Sequence, residues 1–254
     1  MIPLLRSEWR KVTTIKLGWG MLLGAMALAA VGVVAQIASN GAQGSGVLAL
    51  TDPGTQKAIA ASASSAYLFS IVVGIILITT EFRYFTSRPT FLIEPRRGRV
   101  IVAKVLVAAL VGIIYGIVCV ALTAAIMIPW FSAKGITIGW IDNGVLQSLL
   151  SALAVIAIFA VVGIGIGVLV RNQIAAVICA LVYLFVLEPL ITIIPVIQNV
   201  YPYLPGAAAA AITGANRGSS ASHLDPLQGG LVLLGWGLVF AVAGWIFTIR
   251  RDIP

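Results

Sequence analysis

The chain has 254 residues, of which 60% are hydrophobic and only 9% charged, and its mean hydropathy is +1.08. Soluble domains carry about 25% charged residues, so a soluble globular fold is excluded and an all-α polytopic membrane protein is expected. The net charge of +8 and isoelectric point near 9.9 do not point to nucleic acid, because the basic residues sit beside apolar runs, where they orient spans.

Residues 1–16 precede any span. Leu5, Trp9 and Val12 recur at i, i+4, i+7, while Arg6, Arg10 and Lys11 lie off that face. This predicts an N-terminal interfacial helix on the inner membrane surface, with Trp9 at headgroup depth. The polar opening and the length of the first apolar run give no expectation of a cleavable signal peptide. The first span is predicted at about 17–38, and its length of about 33 Å is enough to cross a bilayer. Gly20 and Gly24 form a G-x-x-x-G pair there, a spacing that favours close helix approach. Residues 39–60 are rich in Gly, Ser and Asn, hold Lys57 as their one basic residue, and are read as an outer loop. The second span is predicted at about 61–80. Its outer third, ASASSAY, is small and hydroxylated, which suits helix packing or a polar path better than lipid.

The loop at 81–104 follows. From Thr79 to Lys104 it concentrates 6 of the 16 Lys and Arg residues, which marks a cytoplasmic segment. Pro89 fits the first turn of a helix and Pro95 stops it, so Thr90–Glu94 form a short apolar turn. That turn has no core to join. It either rests on anionic lipid or plugs into a partner.

The third span is predicted at about 105–130, ended by Pro129 and Trp130 at the outer interface, with Phe131 just beyond. A short outer loop leads to the fourth span, about 146–170, which carries Gly163, Gly165 and Gly167 as GIGIG near its inner end. A dinucleotide fingerprint needs a glycine run between a strand and a helix. Inside a span, glycines serve close packing. Arg171, Asn172 and Gln173 form a tight inner turn before the fifth span, about 174–194. Residues 195–228 are broken by Pro195, Pro202, Pro205 and Gly206 and form a broken outer segment, because irregular backbone is tolerated at membrane depth only within protein. The sixth span, about 229–249, is followed by Arg250 and Arg251. With these assignments 13 of the 16 basic residues lie inside and three outside. Both termini are therefore expected in the cytoplasm.

Three stretches carry a family resemblance. Read as E-x-R-x-x-T-x(3)-T-x-L-x(2)-P-x-R-x(6)-K, the central loop resembles the loop after the second span of type-2 ABC exporter permeases, through Glu81, Arg83, Thr86, Thr90, Leu92, Pro95, Arg97 and Lys104. It departs from the family at Phe85, where glycine is usual. LLRSEWRK is similar to the opening of bacterial permeases of that family, VVGIGIGVLVRN to their fourth span, and YLPGAAA to a re-entrant pair of short helices before their last span. The resemblance implies a cytoplasmic coupling helix docking into an ATPase cleft, with Glu81, Arg83, Thr86, Arg88, Thr90, Phe91, Leu92, Pro95 and Arg97 as the docking residues. It also implies a second permease copy or paralogue, and ATP and Mg bound by the partner ATPase subunit rather than by this chain.

Little else in the sequence can do chemistry. No G-x-x-x-x-G-K-[ST] occurs, so ATP binding through a phosphate loop is not expected here. His223 is a lone loop histidine, and Cys119 and Cys179 lie in apolar runs, so no metal centre, disulfide or catalytic group is expected. Glu188 is the exception. An ionisable residue in a span marks a substrate path or intramembrane polar site unless it sits at the interface and caps the broken helix around Pro189 and Pro195. The sequence thus predicts a permease subunit of the plasma or inner membrane, exporting an amphipathic substrate with energy from a separate ATPase. An ATPase-independent transporter or channel, or a non-transporting scaffold or immunity protein, is the alternative. A secondary transporter would usually show internal repeats, and none is visible.

Overall fold

The computed structural model describes residues 2–14, 16–42, 50–84, 97–194, 198–214 and 224–250. The described residues are almost entirely helical. In chain order the helices are α1 (Ile2–Thr14), α2 (Lys16–Ala42), α3 (Pro53–Ala61), α4 (Tyr67–Arg83), α5 (Arg97–Ala133), α6 (Val145–Val170), α7 (Gln173–Val182), α8 (Glu188–Ile193), α9 (Pro205–Thr213) and α10 (Pro226–Arg250). A 3-10 turn, Ser62–Ala66, joins α3 to α4, and a π turn, Tyr183–Leu187, joins α7 to α8. Among the described residues six helical stretches are long and apolar enough to cross a membrane: Lys16–Ser39, Pro53–Arg83, Gly98–Ala133, Val145–Val170, Gln173–Ile191 and Pro226–Ile246. With an even number of crossings, α1 and the end of α10 share one face, the terminal face. The loop before α6 lies on the far face.

Two of these helices run further than their hydropathy alone predicts. The stretch before Ala61 is helical from Pro53. Asp52 starts it as N-cap, accepting the Thr55 N–H at 2.8 Å, with Pro53 at the first helical position. Hydropathy misses this turn because Thr55, Gln56 and Lys57 are polar. The third long helix begins at Arg97 and continues through Pro129 to Ala133, so Phe131 is not in a loop but fully buried. Proline removes one helical hydrogen bond, a loss tolerated close to the helix end. The turn at Arg171 and Asn172 is as tight as expected. Arg171 adopts the left-handed conformation (φ 55°) and Asn172 caps α7 by accepting the Ala175 N–H at 3.1 Å.

α6 runs through the middle of the bundle. Val155, Ile156, Phe159, Ala160 and Ile164 are all buried. A Cβ at Gly74 of α4 would strike the Ala160 carbonyl, and a Cβ at Gly163 of α6 would strike the Ile71 carbonyl. Helix backbones can come this close only where side chains are absent. The GIGIG run divides its work by helical period. Gly163 and Gly167 face α4, while Gly165, two residues on, faces Phe240 of α10. Of the G-x-x-x-G pair in α2, only Gly24 makes a close approach, against Phe69. Gly20 has open space around it. The seam continues instead through Ala25, Ala29 and Val33, all fully buried at helical spacing.

Candidate functional site

Two polar constructions stand out against this apolar background. The first is at the terminal face. Leu5, Trp9 and Val12 of α1 pack against the cluster that includes Ala25, Ala29, Val107, Val111 and Tyr115. The apolar face of the helix therefore rests on the chain's own α2 and α5, where lipid was expected. On that same face, at the i+3 position from Leu5, stands Glu8. Its Oε1 lies 2.6 Å from Lys11 Nζ, and its Oε2 lies 2.6 Å from Lys104 Nζ of α5. Both lysines also reach Glu81 at the end of α4, Lys104 at 2.6 Å and Lys11 at 2.7 Å.

The result is a ring of two cations and two anions with no net charge. Lys104 is the most enclosed member, with its side chain 2% exposed, whereas Lys11 reaches solvent. Desolvating a charge costs several kcal/mol, and only close, multiply bonded partners offset it. Burial pushes the Glu8 carboxyl up, but the charge and hydrogen bond of Lys104, with those of Lys11, outweigh it and hold Glu8 below the usual carboxylate value. Burial likewise pushes the Lys11 ammonium down, yet its hydrogen bonds to Glu8 and Glu81 leave it above its usual value.

This ring changes the reading of Glu81. The sequence resemblance places it on a docking surface, but the side chain turns inward and is buried. Charge neutralisation by two lysines is the reason. Arg83 stays outside the ring, stacked at 5.6 Å over the Tyr84 ring. Arg97 begins α5. Thr86, Arg88, Thr90, Phe91, Leu92 and Pro95 lie outside the described residues. Sequence reasoning missed Glu8. Its signal was present: an acid between Leu5 and Val12 on an otherwise apolar helix face requires a partner.

The second construction is toward the far face. Tyr183 Oη and Glu188 Oε2 are both buried, and neither has a hydrogen-bond partner. Glu188 is 4% exposed. Its Oε1 accepts the Ala207 N–H at 2.7 Å in the first turn of α9, and a Cβ at Gly206 would sit 2.6 Å from that oxygen. Glu188 thus holds the N-terminus of α9, where the backbone N–H groups lack helical partners and a negative charge is favoured. The helix it holds belongs to the broken segment after the fifth span.

Two cavities flank this carboxylate. One, of about 570 Å³, opens between α2, the Ser62–Ala66 turn and α9, and is lined by Gln36, Ser62, Ser64, Ser65, Tyr67 and Gly206 among others. The hydroxylated ASASSAY stretch therefore borders a cleft lined by serines and small apolar residues. The other, of about 340 Å³, is apolar and lined by Phe159, Cys179, Tyr183, Pro205, Trp236 and Phe240 among others. Trp236 is pinned there by its indole N–H donating to the Tyr203 carbonyl at 2.8 Å. Ser148 Oγ, at the far end of α6, lies within hydrogen-bond reach of the Thr213 and Lys57 carbonyls, its one O–H shared between them, tying α9 to the second and fourth spans.

A family model described as ABC-2 family transporter protein matches residues 4–187. That stretch includes all of α1 but its first two residues, all four members of the charged ring and the π turn. No curated protein matches the chain.

Proposed function

Since the chain belongs to the ABC-2 family of transporter proteins, we propose that it is the membrane-spanning permease subunit of an exporter driven by a separate ATPase. The terminal face is the cytoplasmic face in this reading. The ATPase docks there on residues 88–95, with Phe91 and Leu92 as apolar anchors and the neighbouring arginines steering the encounter. ATP and Mg are bound by that partner. Two permeases, identical or paralogous, form the translocating pair.

The observation that supports this reading most directly is the charged ring of Glu8, Lys11, Glu81 and Lys104. The segment between Glu81 and Lys104 is the one that would receive the ATPase. Both of its ends are clamped to α1 through salt bridges of 2.6–2.7 Å. A push on the loop is then delivered to α1, α4 and α5 together. Alternating access needs rigid-body movement of this kind, because packed helices switch between discrete arrangements. Substrate leaves by the serine-bordered cleft beside Ser62–Ala66 on the far face.

The test is capture of the tagged chain from its own membranes, probed for an ABC ATPase and for ATP hydrolysis by the captured complex. Association is expected with the native chain and is expected to be lost in Phe91→Asp/Leu92→Asp. Undiminished association and hydrolysis in that variant would refute docking at residues 88–95.

A further inference from the structure

We infer that Glu188 and Tyr183 form an intramembrane binding site for the ammonium head of an amphipathic amine. The apolar part of that amine lies in the cavity walled by Phe159, Trp236 and Phe240. The inference names a substrate class for the proposed transporter, and it rests on that reading only for the statement that the amine is moved as well as bound.

The first support is the incomplete coordination of Glu188. The Gly206 and Ala207 N–H groups at the start of α9 both bear on the carboxylate, the Ala207 N–H bonded to Oε1, and Oε2 is buried without a hydrogen-bond partner of its own. Among the described residues no lysine or arginine forms a salt bridge with it. A carboxylate sealed from water with one oxygen unused is costly, and a cation that can donate a hydrogen bond answers both deficits. A metal ion is a poor answer, because no group of three or more His, Cys, Asp or Glu side chains occurs among the described residues and hard cations require six or more oxygen ligands.

The second support is the π turn. Its closing hydrogen bond runs from the Glu188 N–H to the Tyr183 carbonyl. In an ordinary α-helix residues five apart point about 140° away from each other, at 3.6 residues per turn. Widening the turn by one residue brings positions 183 and 188 toward one face. Single π turns cost hydrogen-bond quality and concentrate at functional sites. Here the turn gathers two buried, partnerless polar atoms, Tyr183 Oη and Glu188 Oε2.

The third support is the surroundings. Tyr67, Tyr183 and Tyr201 all lie within electrostatic reach of Glu188, and aromatic faces favour cations over neutral heads. Tyr183 and Pro205 also line the apolar cavity, while Gly206, against which the carboxylate rests, lines the serine-bordered cleft. The site thus lies between an apolar chamber open to the hydrophobic part of an amphiphile and an exit lined with serines.

The experiment is calorimetric titration of the purified full-length chain in lipid nanodiscs, with empty nanodiscs subtracted. The probes are 4-phenylbutylamine and its uncharged isostere 4-phenylbutanol. No ATPase is present, so the result is independent of the docking test above. The amine is expected to bind saturably and at least tenfold more tightly than the alcohol. Glu188→Gln, which keeps an acceptor for the Ala207 N–H, is expected to lose at least tenfold in amine affinity and leave the alcohol unchanged. Tyr183→Phe, which leaves the capping interaction untouched, is expected to lose threefold to tenfold and gives a second reading if Glu188→Gln fails to fold. Equal affinity for amine and alcohol, or undiminished amine binding in both variants, overturns the assignment and leaves Glu188 as a helix cap alone.

Discussion

Lys104 Nζ and Glu8 Oε2 stand 2.6 Å apart, although 96 residues separate them in the chain. Their pairing joins a helix that crosses nothing to the start of the third span. Lys104 cannot be removed without leaving Glu8 and Glu81 to share Lys11 alone.

Lys104→Ala is therefore expected to destabilise the folded chain by about 3–5 kcal/mol, the usual cost of leaving buried charges uncompensated. Replacing all four members together, as Glu8→Met/Lys11→Met/Glu81→Met/Lys104→Met, should be far milder, since apolar substitutes of similar size often match a buried ion network. Thermal unfolding in detergent measures both. A quadruple variant that is no more stable than Lys104→Ala would show that the ring stabilises the fold beyond what apolar packing can replace.

The ring also has a definite pH window. The Glu8 carboxyl is lowered from 4.5 in the folded state, so its contribution is complete above that value and is lost as pH falls through the lower, folded value. The Lys11 ammonium is raised from 10.5, so its contribution is complete below that value and is lost as pH rises through the higher, folded value. Attachment of α1 should thus be flat between the two and weaken outside them. Fluorescence of Trp9, in a variant with the other tryptophans replaced, would follow it. A change centred near neutrality would contradict the assignment.

Helix contact through glycine makes a sharper prediction. Gly74→Ala and Gly163→Ala each place a methyl group against a carbonyl of the facing helix. Overpacking of this kind costs about 1–3 kcal/mol, and more where backbone must move. Gly20→Ala, with open space around it, is the control and should be neutral or slightly stabilising, as alanine favours helix by about 1 kcal/mol over glycine. Equal unfolding temperatures for Gly74→Ala and Gly20→Ala would refute the packing of α4 on α6.

Orientation can be read with thiol labelling in a variant lacking Cys119 and Cys179. Single cysteines at Gly44, Gly135 and Ser220 are expected to react with an impermeant reagent in intact cells, and cysteines at Ser87 and Asn172 only after lysis. Labelling at Ser87 in intact cells would invert the cytoplasmic assignment of the terminal face.

What the sequence determined alone is the set of properties that add up along the chain. Apolar length located the six spans, because each must satisfy its backbone within itself. The tight turn at Arg171, Asn172 and Gln173 was legible because turn chemistry is local, whereas the left-handed Arg171 and the Asn172 cap came only with the structure. The separate duties of Gly163, Gly165 and Gly167 follow from helical period once their neighbours are known. Other features depended on which helices meet. Hydropathy could not assign Gly24 rather than Gly20 to the seam, since both are the same residue on one helix. Position alone left Glu188 between a path and a cap; the arrival of α9 showed the cap and exposed the unused oxygen. Only the fold could turn Glu81 away from the loop surface and bring Glu8 and Lys104 together. Charge pairing acts over a few ångströms, and the order of residues does not record distance between helices until packing decides it.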